Sequence, residues 1–355
     1  MRSWIIASLW VVTVACDDVQ AGPADTDTTG GTSTGASTGP ESTSTSSVTA
    51  AEATGASGVG SSGGGEDTAQ GSGGTSTGPD VAACQAGTLP PGRYPGVTLE
   101  HGGQTRTYDL YIPATVDVTE PSPLVINFHG LYGNPAQQAM FSQYDAAAVE
   151  AGVIVAYPAG ISNSWNAGLC CGAAQTSGVD DVGFARTLVQ HIGLGSCVDP
   201  SKVFAIGMSN GGHIAHRLAC EAADVFAGVA SVTGVLTMLE CSPSRPISVL
   251  QFHGTADTIV RYDGAGPGYP PVEDMMDDWA ARNGCAPVPN VSHQQGDALC
   301  ETYVGCDDEV EVTLCSVEGG GHCWFGNPTC TFGASTTDVS ANDVIAQMMA
   351  AQSLD

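Results

Sequence analysis

Lysine is almost missing from this chain. Lys202 is the only one, and the nine basic residues face 37 acids, a formal net charge of −28. A surface so poor in cations repels polyanions, which excludes nucleic acid and anionic membrane surfaces as partners. Long apolar runs are missing too. The one candidate, Trp4–Ala15, falls short of the about 20 residues that a bilayer-spanning helix needs. It follows Arg2 and ends in Ala15-Cys16, the arrangement of an export signal. A small residue before cysteine makes Cys16 the expected acylated N-terminus of a lipoprotein. Thr13, where leucine is usual, leaves plain signal cleavage as the alternative.

From Asp17 to about Ala82 there is no aromatic residue, no lysine and no arginine, and no helical or strand period. Such a segment cannot bury a core, and its scattered acids keep it solvated as a flexible tether. The expected organisation is a signal over 1–16, a tether over 17–83 and a single folded domain over 84–355. Paired cysteines at short regular spacing are also lacking, which argues against zinc. Thirteen cysteines occur, and setting Cys16 aside leaves an even number, suited to disulfides in an oxidising compartment. Cys285–Cys306 and Cys220–Cys241 are the favoured pairs.

In the folded part, short apolar runs alternate with amphipathic segments. Strands are predicted over 106–112, 124–128, 153–157, 203–206, 226–232, 247–252 and 310–316. Helices are predicted over 136–151, 182–192 and 272–283, and over a last segment that Ser340 would cap and that ends at Ala351. This alternation argues for an α/β fold with a mostly parallel sheet covered on both faces. Asp180 and Asp181 open the helix from Val182, where capping and the helix dipole explain them better than a metal does.

What is present in that frame is chemistry. Val203-Phe204-Ala205-Ile206 reads as a buried strand, Gly207-Met208-Ser209-Asn210-Gly211 follows it, and His213–Cys220 can form a helix. Strand, G-x-S-x-G and helix together make a nucleophile elbow, a turn so sharp that the serine hydroxyl projects from it. A base and an acid should follow at later strand ends, acid first. The 247–252 strand runs into His253-Gly254-Thr255-Ala256-Asp257, and the 310–316 strand leads to Gly319-Gly320-Gly321-His322. Ser209, Asp257 and His322 are therefore the expected triad, with Asp263 as the runner-up acid and His253 as the runner-up base. Oxyanion donors are expected from the backbone N–H groups of Asn210 and of Leu131, the latter in the His129-Gly130-Leu131 loop. His129 is expected to hold that loop by hydrogen bonds. Trp165 and Trp324 are candidates to flank an aromatic acyl group. Cys323, beside the expected base, should form a disulfide that fixes its loop, with Cys330, Cys315 or a more distant cysteine as partner.

Five stretches share one pattern: Ser164-Trp165-Asn166-Ala167-Gly168, Cys170-Cys171-Gly172, Val179–Phe184, Gly207–Gly212 and Glu318–His322. They resemble the secreted esterase family of polyhydroxybutyrate depolymerases and bacterial feruloyl and acetylxylan esterases, over roughly residues 92–351. The resemblance implies an α/β-hydrolase fold, no cofactor and no metal, and the triad already named. Cys323 stands where a relative usually has alanine, and Met208 before the serine precludes a tannase-like bridge between cysteines flanking Ser209 and His322. It also implies an exported or cell-surface serine esterase acting on polymer-linked esters, with feruloyl or acetyl esters of plant polysaccharide expected first. Polyhydroxybutyrate depolymerase is the alternative, and a serine peptidase or an inactive surface adhesin is a more distant one. Membrane contact would come only through the lipid anchor.

Overall fold

A computed structural model of the chain describes residues 89–354 apart from Pro267. Cys16, the 1–16 signal, the 17–83 tether and Cys84 lie outside the described residues.

Ten strands form one sheet: β1 Gly92–His101, β2 Gln104–Ile112, β3 Ser122–Phe128, β4 Ile154–Pro158, β5 Val198–Met208, β6 Gly228–Val232, β7 Ser248–Gly254, β8 Asn290–Gln295, β9 Ala298–Tyr303 and β10 Val312–Val317. Their spatial order is β1-β2-β4-β3-β5-β6-β7-β10-β9-β8. From β4 through β10 in that order every neighbour is parallel, while β1–β2–β4 and β10–β9–β8 pair antiparallel. The central strands are buried on both faces, so each divides its apolar residues between two cores. In β3, Leu124, Ile126 and Phe128 enter one core and Val125 the other; in β5, Val203 and Ala205 oppose Phe204 and Ile206. This is the signature of a parallel sheet sandwiched between helices.

The helices are α1 Pro135–Ser142, α2 Tyr144–Ala151, α3 Gly172–Thr176, α4 Asp181–Gly195, α5 Asn210–Glu221, α6 Val272–Arg282 and α7 Ala341–Ala351. Phe184 and Leu188 of α4, Ile214 and Leu218 of α5, and Met275 and Trp279 of α6 fill the first core. Tyr144 and Ala148 of α2 and Ile345 and Met349 of α7 fill the second. The α/β reading of the sequence holds, and the order of the central strands is that of an α/β-hydrolase.

Two local readings need correction. The predicted single helix over 136–151 is two helices, because Gln143 sits in the left-handed region at φ 49° and stops α1 after Ser142. The sheet also has hairpins that the sequence reading omitted. Edge strand β8, Asn-Val-Ser-His-Gln-Gln, is exposed or half-buried throughout and carries no apolar alternation to betray it. By contrast Ser340 caps α7 as expected, its side chain accepting from the Asp343 N–H at 3.2 Å.

Candidate active site

β5 ends at Met208 and the chain turns at Ser209 directly into α5. Ser209 has φ 56° and ψ −121°, a conformation that costs a residue with a side chain about 1–3 kcal/mol. Two backbone bonds hold it there. Its N–H donates to the Val232 carbonyl at 2.9 Å, and its own carbonyl accepts from the His213 N–H at 2.8 Å. The flanking glycines are sterically required. A Cβ at Gly211 would lie 2.0 Å from the Phe128 carbonyl oxygen, and one at Gly207 2.4 Å from that of Gly211. Ser209 itself is half-buried, at the mouth of the turn.

Asp257 follows β7 and His322 follows β10, its parallel neighbour, so both loops leave the same edge of the sheet. The backbone ties them together. Thr255 N–H donates to the Val317 carbonyl and Ala256 N–H to that of Gly320, each at 2.9 Å. Gly254 permits this approach, since a Cβ there would stand 2.2 Å from the Gly320 oxygen. His322 Nδ1 consequently reaches Asp257 Oδ2 at 2.7 Å, with both side chains buried. The other carboxylate oxygen accepts from Ile259 N–H at 2.8 Å and Val260 N–H at 3.0 Å. Burial alone would raise the Asp257 pKa. The hydrogen bond and charge of His322, with the Ile259 amide, more than reverse it and hold the carboxyl below its ordinary range. A carboxylate in this place fixes Nδ1 as the donor and leaves Nε2 to take a proton.

The runners-up sit elsewhere. Asp263 is an exposed partner of Arg261, at 2.6 Å. His253 is buried beneath the acid, with Nε2 donating to the Val260 carbonyl at 2.7 Å and Nδ1 accepting from Gln251 at 3.0 Å. Its Nε2 is 3.6 Å from Asp257 Oδ2, but burial lowers its pKa to about 4, so the ring is neutral and braces the loop rather than pairing with the acid. Gln251 passes the chain on to His216 Nε2 at 2.9 Å. His213, in the first turn of α5, is fully buried against the Val235 backbone, and burial lowers its pKa to about 3.

The loop after β3 lies against the serine: a Cβ at Gly130 would be 3.4 Å from Ser209 Cβ. His129 secures it as expected. Its Nδ1 donates to the Gly130 carbonyl at 2.7 Å and Nε2 accepts from the Gly160 N–H at 3.0 Å. Leu131 is on this loop and Asn210 is the first residue of α5, where the helix leaves its leading N–H groups without intrahelical partners. Asn210 is thus adjacent to Ser209 in the chain, and Leu131 follows the Gly130 that lies against it.

Trp165 and Trp324 do not flank a substrate. Trp165 is fully buried, its indole N–H donating to the His129 carbonyl at 2.9 Å, and Trp324 is 3% exposed and donates to Asn342 at 2.9 Å. Neither indole offers a face to solvent. Trp165 is instead the keystone of a scaffold the sequence reading missed. The Asn210 side chain accepts from Trp165 N–H at 2.7 Å and donates to its carbonyl at 3.0 Å, fastening that segment to the elbow. Behind it, Arg106 and Asp181 form a wholly buried ion pair at 2.8 Å, with Asp181 also accepting from Asn166 N–H. A pair so buried adds little net stability, but loss of one partner strands the other charge. Asp180 is the cap expected of it, accepting from Gly183 N–H at 2.9 Å. Asp181 is not merely a helix-dipole residue. A basic residue inside the β2 run was the available signal for its partner.

Disulfides join Cys220–Cys241 and Cys285–Cys306, the two favoured pairs, and Cys300–Cys315 across β9 and β10. Cys170 bonds to Cys171. Their sulfurs come within 4.8 Å of a His213 ring nitrogen, yet a disulfide leaves no thiolate for a metal. Cys323 bonds to Cys330, closing a small loop directly after His322. Because a misplacement of about 1 Å can cost on the order of a hundredfold in rate, Cys323→Ser should lower turnover well beyond what its melting temperature suggests. Full turnover in folded Cys323→Ser protein would leave the bridge a purely structural part.

The sequence profile described as esterase PHB depolymerase matches residues 106–270, which include Ser209 and Asp257. A putative esterase, NocK, of Nocardia uniformis is 33% identical over 271 residues, covering 68% of this chain and 76% of that protein. The chain belongs to the esterase PHB depolymerase family. Feruloyl esterase B of Piromyces equi is 34% identical over 218 residues; the match covers 57% of this chain and 39% of that longer protein. An acetyl xylan esterase from Aspergillus awamori superposes with a TM-score of 0.47 at 17% identity, covering 69% of this chain and 94% of that one. The family profile ends before His322, so the base rests on the local geometry.

Proposed function

We propose that this chain is a serine carboxylic ester hydrolase. Ser209 Oγ attacks the ester carbonyl while His322 Nε2 takes its proton, and Asp257 orients and stabilises the resulting imidazolium. The backbone N–H groups of Asn210 and Leu131 receive the oxyanion, donors of a kind worth about 3–4 kcal/mol each in the transition state. His322 then returns the proton to the leaving alcohol, and a water activated by the same ring releases the acid. The observation that carries this reading is the buried 2.7 Å Asp257–His322 pair on the sheet edge that also holds the strained serine turn.

The proposed substrates are feruloyl or acetyl esters of plant polysaccharide, which the names of the feruloyl esterases and of a bifunctional acetylxylan esterase/xylanase among its sequence relatives support. A release assay running feruloylated arabinoxylan, acetylxylan and polyhydroxybutyrate side by side tests this. Release of ferulate or acetate supports it, and activity on polyhydroxybutyrate alone overturns the substrate assignment. Export fits the disulfides, and we extend the proposal to a mature chain that starts at acylated Cys16. Mass spectrometry of the mature N-terminus should find a lipid on Cys16; an unmodified residue beyond it would dismiss the anchor.

A further inference from the structure

The geometry points to Phe332 as the residue that selects the acyl part of the ester, by packing against an aromatic acyl group presented to Ser209. This rests on the serine esterase reading and narrows it to aromatic acyl esters.

Single exposed apolar side chains are ordinary on a protein surface. Of the ten large apolar side chains exposed among the described residues, four lie on loops around the site. Among the described residues, Tyr132 is 65% exposed, Leu169 45%, Ile259 54% and Phe332 54%. Each belongs to a loop that builds the site. Tyr132 follows Leu131. Leu169 precedes Cys170-Cys171, and the Cys171 N–H donates to the Trp165 carbonyl at 3.2 Å. Ile259 donates its N–H to Asp257. Phe332 stands nearest the chemistry, because its carbonyl accepts the His322 N–H at 3.0 Å and its ring meets the imidazole edge-to-face at 6.4 Å.

His322 is buried while the phenyl ring beside it stays more than half exposed. The Cys323–Cys330 bridge shortens the free chain between them, so the ring is held in place without being packed away. Water against that much aromatic surface is unfavourable, at about 25 cal/mol per Å², and a ligand that covers it gains. In a polysaccharide ester the leaving group is a sugar hydroxyl surrounded by other hydroxyls. Only the acyl side can present an apolar face, and an acetyl group has a single methyl to offer. An aromatic acyl group matches the ring in size and in edge-to-face geometry.

The test measures kcat/KM on three esters. Methyl ferulate has an aromatic acyl group, methyl butyrate a small aliphatic one, and 4-nitrophenyl acetate places its ring on the leaving group. Phe332→Ala should lower the value for methyl ferulate about tenfold more than it lowers the values for the other two, while Phe332→Tyr keeps most of the ferulate activity. Equal loss on all three would mean that the ring only supports His322. Loss confined to 4-nitrophenyl acetate would place the ring on the leaving-group side, and wild-type protein active on that ester but not on methyl ferulate would be as damaging. Each of these overturns the inference alone. Wild-type protein inactive on all three would remove the esterase reading together with it. If Phe332→Ala does not fold, Phe332→Leu is judged by the same ratios.

Discussion

Ser209→Ala is expected to lower turnover of 4-nitrophenyl acetate on the order of a thousandfold or more, about 4 kcal/mol of transition-state stabilisation. His322→Ala should do the same, and the double variant should be little worse than either. Nucleophile and base act as one unit, so once one is gone the other has nothing to transfer. Asp257→Ala belongs in the same series because Asp257 holds the His322 ring through a buried bond of 2.7 Å. Asp263→Ala should be close to wild type, its carboxylate being spent on Arg261 at the surface. Steady-state kinetics on the four single variants and the double variant check this, and a profound loss in Asp263→Ala with activity retained in Asp257→Ala would reverse the acid assignment.

Acidification from pH 7 to pH 5 is expected to cost the fold several kcal/mol. Burial lowers the pKa values of His129, His216 and His253 to about 4 and that of His213 to about 3. An unfolded histidine takes a proton near pH 6.5, so over the range between these values the unfolded chain binds protons that the folded one refuses. Their contribution is complete above about pH 6.5 and is lost as the pH falls, at about 1.4 kcal/mol per pH unit for each ring. Asp257 acts in the same sense at lower pH, since its depressed pKa gives stability present above the ordinary carboxylate range and lost below it. Urea titrations at pH 7, 6 and 5 should show a falling midpoint. A midpoint unchanged across that range would mean that these rings are accessible to protons in the folded chain.

The parallel centre of the sheet was legible because strands buried on both faces leave dense β-branched runs with no competing period, as in Leu124–Phe128. Edge strands such as β8 carry no such mark, since nothing covers them. The proposed site residues were chosen for a related reason: Ser209, Asp257 and His322 each follow a strong strand signal within a few residues, and chain order restricted the choice; what the structure adds is the 2.7 Å contact of Asp257 with His322. Trp165 shows where this stops. An aromatic residue in a Gly- and Ser-rich stretch reads equally well as a binding face or as core. What decides is a pair of bonds to Asn210 across 45 residues of sequence, which no local pattern announces. The Arg106–Asp181 pair and the His216–Gln251–His253 chain were hidden in the same way. Cys220–Cys241 and Cys285–Cys306 could be favoured in advance, whereas Cys300–Cys315 depends on the β9–β10 register that pairs those two residues directly.

The most direct test is the site of covalent modification. A fluorophosphonate reacts with a serine activated by a base and an oxyanion hole, and it mimics the tetrahedral step at that serine. Intact-mass and peptide analysis of the treated protein should show one adduct per chain, on Ser209, formed in step with the loss of esterase activity and absent in His322→Ala. An unlabelled Ser209 in protein that still hydrolyses esters, or an adduct on another residue that tracks the loss of activity, would contradict the assignment of Ser209 as the nucleophile.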